Sequence, residues 1–109
     1  MGPPAVTPLQ STKRKAVLFH PELLAAVAIL DPELTLSLPA HLTAATGVDA
    51  LTHCIESFTS PVFQPLCDGI ALEGIRMIRE SLPLLKDDPS NVAARGQMLV
   101  SAAMGGTAF

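Results

Sequence analysis

A mainly α-helical fold, preceded by two short β-strands, is what this sequence predicts. Three observations carry the prediction. After Pro39, apolar residues recur at spacings of three and four, the period of a helix with one buried face. Prolines at positions 61, 65, 83 and 89 then cut that stretch into pieces of helical length. Before Pro39 the apolar runs are short and dense, KAVLFH and AVAIL, as in buried strands.

The elements follow in order. Met1 to Thr12, MGPPAVTPLQST, holds three prolines and no apolar period, and reads as a disordered lead-in or an extended tether. Lys15 to His20 is the first expected strand and Ala26 to Leu30 the second, with a single helical turn opened by Pro21 and Glu22 between them. Asp31-Pro32 ends the second strand, and a leucine-rich loop runs from Leu34 to Leu38. Pro39 suits the first turn of a helix, where its missing N–H costs nothing. That helix is expected over about 39–58, weakened at Gly47 by about 1 kcal/mol relative to alanine.

Ser60 to Pro65 breaks the pattern, and a second helix is expected over about 66–85. Cys67, Ile70, Ala71, Gly74, Ile78 and Leu82 form its apolar stripe, while Glu73, Arg76 and Glu80 form a solvated face. Pro83 is expected to end or kink it. Lys86 to Pro89 is a turn, and Ser90 or Asn91 can cap a third helix over about 91–109. From Gly96 to Phe109 no residue is charged, and the frequent Ala, Gly and Ser allow close helix approach. A chain finishing inside an apolar helix reads as one cut short.

Composition narrows the function classes. Apolar residues make up 49%, charged residues 16%, and mean hydropathy is +0.41, so some helix faces expect a partner. The net charge is −3 and the one short basic cluster, Lys13 to Lys15, forms no broad basic face for nucleic acid. The longest apolar run, Leu23 to Leu30, is too short to span a membrane, and no secretory signal is expected. Cys54 and Cys67 lack a CxxC spacing and read as reduced packing residues of an intracellular protein.

The chemistry concentrates in Thr43 to Glu56, TAATGVDALTHCIE. Asp49 and His53 lie four apart, so a helix projects both from one face, where a carboxylate and an imidazole can hold one divalent metal. An ordinary surface pair has the same spacing. Ala44, Ala45, Val48, Ala50, Leu51, Cys54 and Ile55 surround the pair, predicting a helix buried around most of its circumference. A buried aspartate needs a partner or a metal. Cys54 points about 100° away from His53, and His41 lies about 12 Å along the axis from Asp49, so neither joins the pair.

The run from Asp31 to Phe58, DPELTLSLPAHLTAATGVDALTHCIESF, resembles the signature of the iron-containing (group III) alcohol dehydrogenases. Similarity extends from about Lys13 through Asp68, Ala71, Ala94, Arg95 and Met98 to Gly106 and Phe109, a fragment from the middle of such an enzyme. The family more often has alanine at Cys54 and proline at Ala25. The resemblance implies a dehydroquinate synthase-like fold, in which residues 13–38 end a nucleotide-binding domain and 39–109 form part of a helical metal-binding domain. It also implies reversible hydride transfer between an alcohol, aldehyde or hydroxy acid and NAD or NADP. Asp49 and His53 would be the first two ligands of Fe(2+), or of Zn(2+), with two histidines following beyond Phe109. Lys15 would lie near the cofactor ribose, Leu38 near the nicotinamide, and Phe109 in the substrate pocket. Solvated, loop-anchoring and core roles fit those three equally well. A cytoplasmic (or mitochondrial matrix) homodimer or higher oligomer is the implied setting, with no residue here acting as acid or base. Two other readings stand beside it: a non-catalytic helical interaction module, and a zinc-dependent relative of the glycerol dehydrogenase type.

Overall fold

Pro39 starts the helical part where its fixed φ and absent N–H are harmless, and α1 follows over Ala40–Phe58. Pro65 plays the same part at the first position of α2, Pro65–Asp87. Asn91 caps α3, Val92–Ala108, its side chain accepting from the Ala94 N–H at 2.9 Å. A computed structural model describes residues 5–9, 14–18, 20–23 and 25–109 of the chain. Ahead of the helices, β1 (Ala5–Leu9) and β2 (Arg14–Leu18) pair antiparallel from Ala5 with Leu18 to Leu9 with Arg14. Two 3-10 turns, Pro21–Leu23 and Pro32–Thr35, link this ribbon to α1. No helix among the described residues is long and apolar enough to cross a membrane.

The three helices pack on one another through small residues. Gly47, Ala50, Cys54 and Ser57 are the buried stripe of α1, facing Ala71, Gly74, Ile78, Ser81 and Leu85 of α2 and Ser101, Gly105 and Ala108 of α3. Ala50, Cys54 and Ile78 form the core, with Leu51, Ile75, Leu82 and Met98 against it. Cys54 has no exposure at all. A Cβ built on Gly74 would meet its Sγ at 2.7 Å, and one on Gly105 at 3.1 Å. The thiol therefore fills the space that two glycines on two neighbouring helices leave open. Gly47 likewise sits under the Leu82 side chain, 2.6 Å from where its Cβ would be, so a methyl there would have to push aside the end of that leucine.

Buried hydroxyls tie the helices across the core. Ser57 Oγ donates to the Ala108 carbonyl at 2.8 Å, joining the ends of α1 and α3, and Ser81 Oγ bonds the Gln97 side chain between α2 and α3. Each such bond contributes about 1 kcal/mol net and costs more if one partner is stranded. On the outer face of α2, Arg76 meets Glu73 and Glu80, each at 2.6 Å, and its hydrogen bond holds the Glu73 carboxyl below the usual range.

Three expectations need correction. Ala5–Leu9, read from sequence as part of a disordered lead-in or an extended tether, is a strand. Pro8 is tolerated there because each strand of a two-stranded ribbon keeps an open edge. Residues 1–4 and 10–13 of that region lie outside the described residues. Ala26 to Leu30 is not a strand but irregular and exposed; a buried strand needs ladder partners, and no described strand flanks it. α1 is not buried around most of its circumference: the Asp49 side chain is 74% exposed, and Val48 and Ile55, further round the helix, are exposed too, because the α2 and α3 contacts use only one stripe. Pro83, where an end or a kink was expected, lies inside α2, which runs on to Asp87, two residues beyond the expected bound. Only one N–H is lost there, and the remaining turn still closes on the Leu84 carbonyl. Pro83→Ala is accordingly expected to raise stability by about 1 kcal/mol, the restored helix bond being partly offset by a freer unfolded chain. An unchanged or lower urea midpoint would contradict this.

Candidate metal centre

Asp49 and His53 occupy successive turns of α1, held by its uninterrupted i to i+4 ladder. His53 Nε2 lies 3.6 Å from Asp49 Oδ2. That is too long for a hydrogen bond, yet it suits two ligands each about 2.0–2.2 Å from a shared ion. Their side chains are 44% and 74% exposed for His53 and Asp49, so the carboxylate is solvated. Among the described residues no third His, Cys, Asp or Glu joins them.

The other imidazole nitrogen is different. His53 Nδ1 is buried and has no hydrogen-bond partner among the described residues. The ring packs edge-to-face against Phe109, with centroids 5.4 Å apart and planes at 82°. Phe109 thus fixes the plane of His53 while Nε2 keeps its aim at Asp49. A histidine giving Nε2 to a metal carries its proton on Nδ1 and normally donates it to an acceptor. Among the described residues that donor has no acceptor. The donor set, one hard oxygen and one borderline nitrogen at 3.6 Å, fits a divalent iron or zinc ion.

The remaining expected site residues fall elsewhere. Leu38 is half-buried and lines a cavity of about 130 Å³ with Thr35, Thr43, Thr46, Gly47 and Met98. Phe109 lines a separate, wider cleft of about 740 Å³ with Glu56, Ser60, Gln64 and Cys67. Lys15 lies in β2, and its side chain is outside the described part of the structure. Cys54 faces the core, and burial pushes its thiol pKa up, so it stays away from the pair as its helical angle predicts. Sequence reasoning missed the His53–Phe109 contact and the role of Arg95. The first joins residues at opposite ends of the helical region and has no local signal. The second, named from sequence only as part of the family resemblance, meets a partner sixty residues away and has no local signal either.

The family description "Fe-containing alcohol dehydrogenase family, C-terminal" matches residues 43–109. Among similar proteins, the probable alcohol dehydrogenase EutG of Escherichia coli K12 is 46% identical over 96 residues, 88% of this chain and 24% of that protein. The 4-hydroxybutyrate dehydrogenase of Cupriavidus necator is 47% identical over 92 residues, 84% of this chain and 24% of its own length. The crystal structure of sulfoacetaldehyde reductase from Bifidobacterium kashiwanohense superposes with a TM-score of 0.85 at 36% identity, over 97% of this chain and 28% of that one. This chain spans about a quarter of the length of these curated relatives. With sequence, helical architecture and the matched segment in agreement, the chain belongs to the Fe-containing alcohol dehydrogenase family.

Proposed function

We propose that this chain supplies two ligands of the metal centre of an alcohol dehydrogenase that moves hydride reversibly between a small alcohol or hydroxy acid and NAD or NADP. The observation that carries this reading is the 3.6 Å approach of His53 Nε2 and Asp49 Oδ2 on one accessible helical face. Bound there, Fe(II) or Zn(II) supplies a Lewis acid for the alcohol oxygen. Asp49 contributes an anionic oxygen, and His53 a neutral nitrogen whose ring plane Phe109 holds. Phe109, 74% exposed beside the pair, forms an apolar wall for the carbon chain of the substrate. Leu38 offers an apolar surface to a nicotinamide ring, and Lys15 a cation to the ribose. Residues 13–38 then close a nucleotide-binding domain, and 39–109 belong to the helical metal-binding domain. That the Bifidobacterium relative was crystallised in complex with NAD+, and that others are described as a probable alcohol dehydrogenase and a 4-hydroxybutyrate dehydrogenase, supports the cofactor and substrate class.

Co(II) titrated into the isotope-labelled chain tests the centre. Paramagnetic broadening is expected first at residues 49 and 53 and at the Phe109 ring. Broadening that starts at His20, His41 or the acidic turn 87–88 would overturn the assignment.

A further inference from the structure

Arg95 is 3% exposed, on a helix whose other buried residues are small and neutral. A guanidinium keeps its proton in any protein environment, so burial cannot be relieved by neutralisation. None of the ion pairs among the described residues includes it. Its acceptors are neutral and belong to two different segments. Nε donates to the Pro89 carbonyl at 2.7 Å, in the turn between α2 and α3. Nη1 donates to Thr35 Oγ1 at 3.4 Å, sixty residues away in the 3-10 turn before α1. Thr35 in turn donates its hydroxyl to the Pro32 carbonyl at 2.8 Å, and its own carbonyl accepts the Leu38 N–H at 3.0 Å.

The chain of bonds therefore runs from the α2–α3 turn through one side chain into the loop that ends at Leu38. Apart from this bond, the loop is braced locally, by Asp31 accepting from the Glu33 N–H at 2.9 Å, by a long bond from Thr43 Oγ1 of α1 to the Leu38 carbonyl at 3.4 Å, and by contact with α3, where Pro32 lies beside Gly96. A planar fork with several fixed donors spans two acceptors at once; a lysine ammonium on a flexible stem holds one geometry far less well. An apolar residue of similar size would fill the space without the cost of a buried charge. The retained cation needs a task that packing alone does not give.

We propose that Arg95 is a positioning residue: it sets the 32–38 loop against the helical unit and thereby places Leu38 at the wall of the cavity. Its bearing on hydride transfer rests on Leu38 lying beside the nicotinamide; the clamp itself can be tested without cofactor or turnover. A failed clamp test and a failed cofactor assignment are therefore separate results.

Backbone 15N relaxation of the free chain, its Arg95→Met, Arg95→Lys and Thr35→Val variants is the measurement. Order parameters for residues 33–38 are expected near about 0.85 in the wild type and below about 0.6 in all three variants. Those of α1, α2 and α3 are expected to stay at the wild-type level. Thr35→Val in the Arg95→Met background is expected to loosen the loop no further. Unchanged loop order in Arg95→Met or Thr35→Val would overturn the proposal. So would restoration by lysine, or helices that lose order in step with the loop, which would make Arg95 a general fold stabiliser. Should Arg95→Met fail to fold, Thr35→Val, a change at a half-buried hydroxyl, decides alone.

Discussion

Zinc titrated into this chain is expected to bind weakly at a single site, and His53→Ala to abolish that binding. Two side chains leave most of a coordination sphere to water. Among the described residues no acceptor supports His53 Nδ1, and outer-shell support of that kind is worth roughly 10–100-fold in affinity. Asp49→Asn is expected to weaken the ion further, since a neutral amide oxygen replaces a charged one. Affinity falls as pH is lowered, because the imidazole must be free of its second proton to ligate. Isothermal calorimetry at two pH values reads all three effects. Tight wild-type binding, or a His53→Ala chain that binds as well as wild type, would remove this pair from the metal centre.

Gly74→Ala is expected to destabilise the chain by about 1–3 kcal/mol, the usual cost of overpacking a core, despite alanine's better helix propensity of about 1 kcal/mol. The added methyl arrives 2.7 Å from the Cys54 sulfur, and that sulfur is boxed in by Gly105 and, at 3.9 Å, by the Ser101 carbonyl. Cys54→Ala removes the obstacle and leaves a void that the new methyl fills. The Cys54→Ala, Gly74→Ala pair should thus be within about 1 kcal/mol of wild type, giving a coupling of about 1–2 kcal/mol between the two sites. Additive losses in urea unfolding would show that the sulfur has room to move.

The helices were legible because their signals are local. Pro39, the stripe on α2 and the Asn91 cap each act within a turn or two, and the observed bounds lie within two residues of those read from sequence. Asp49 and His53 came together for the same reason, since four residues of helix fix their separation. What failed was non-local. Whether AVAIL becomes a strand depends on neighbours that the run itself does not encode, and the ribbon partner of Ala5–Leu9 is set by pairing rather than by propensity. Burial of the Asp49 face could not be read from its apolar neighbours, because composition says how much of a helix is apolar but not which stripe its partners take. Arg95 was hidden similarly: nothing in VAARGQM announces that the cation turns inward to meet Thr35.

The sulfur wedged between two glycines also makes the chain a recorder of its own opening. Cys67 is half-buried at a cleft, whereas Cys54 is sealed, and burial disfavours its thiolate. A thiol-alkylating reagent should modify Cys67 promptly and reach Cys54 only when α1 parts from α2 and α3. The slow phase of labelling then counts how often the three helices separate, with no probe attached and no denaturant added.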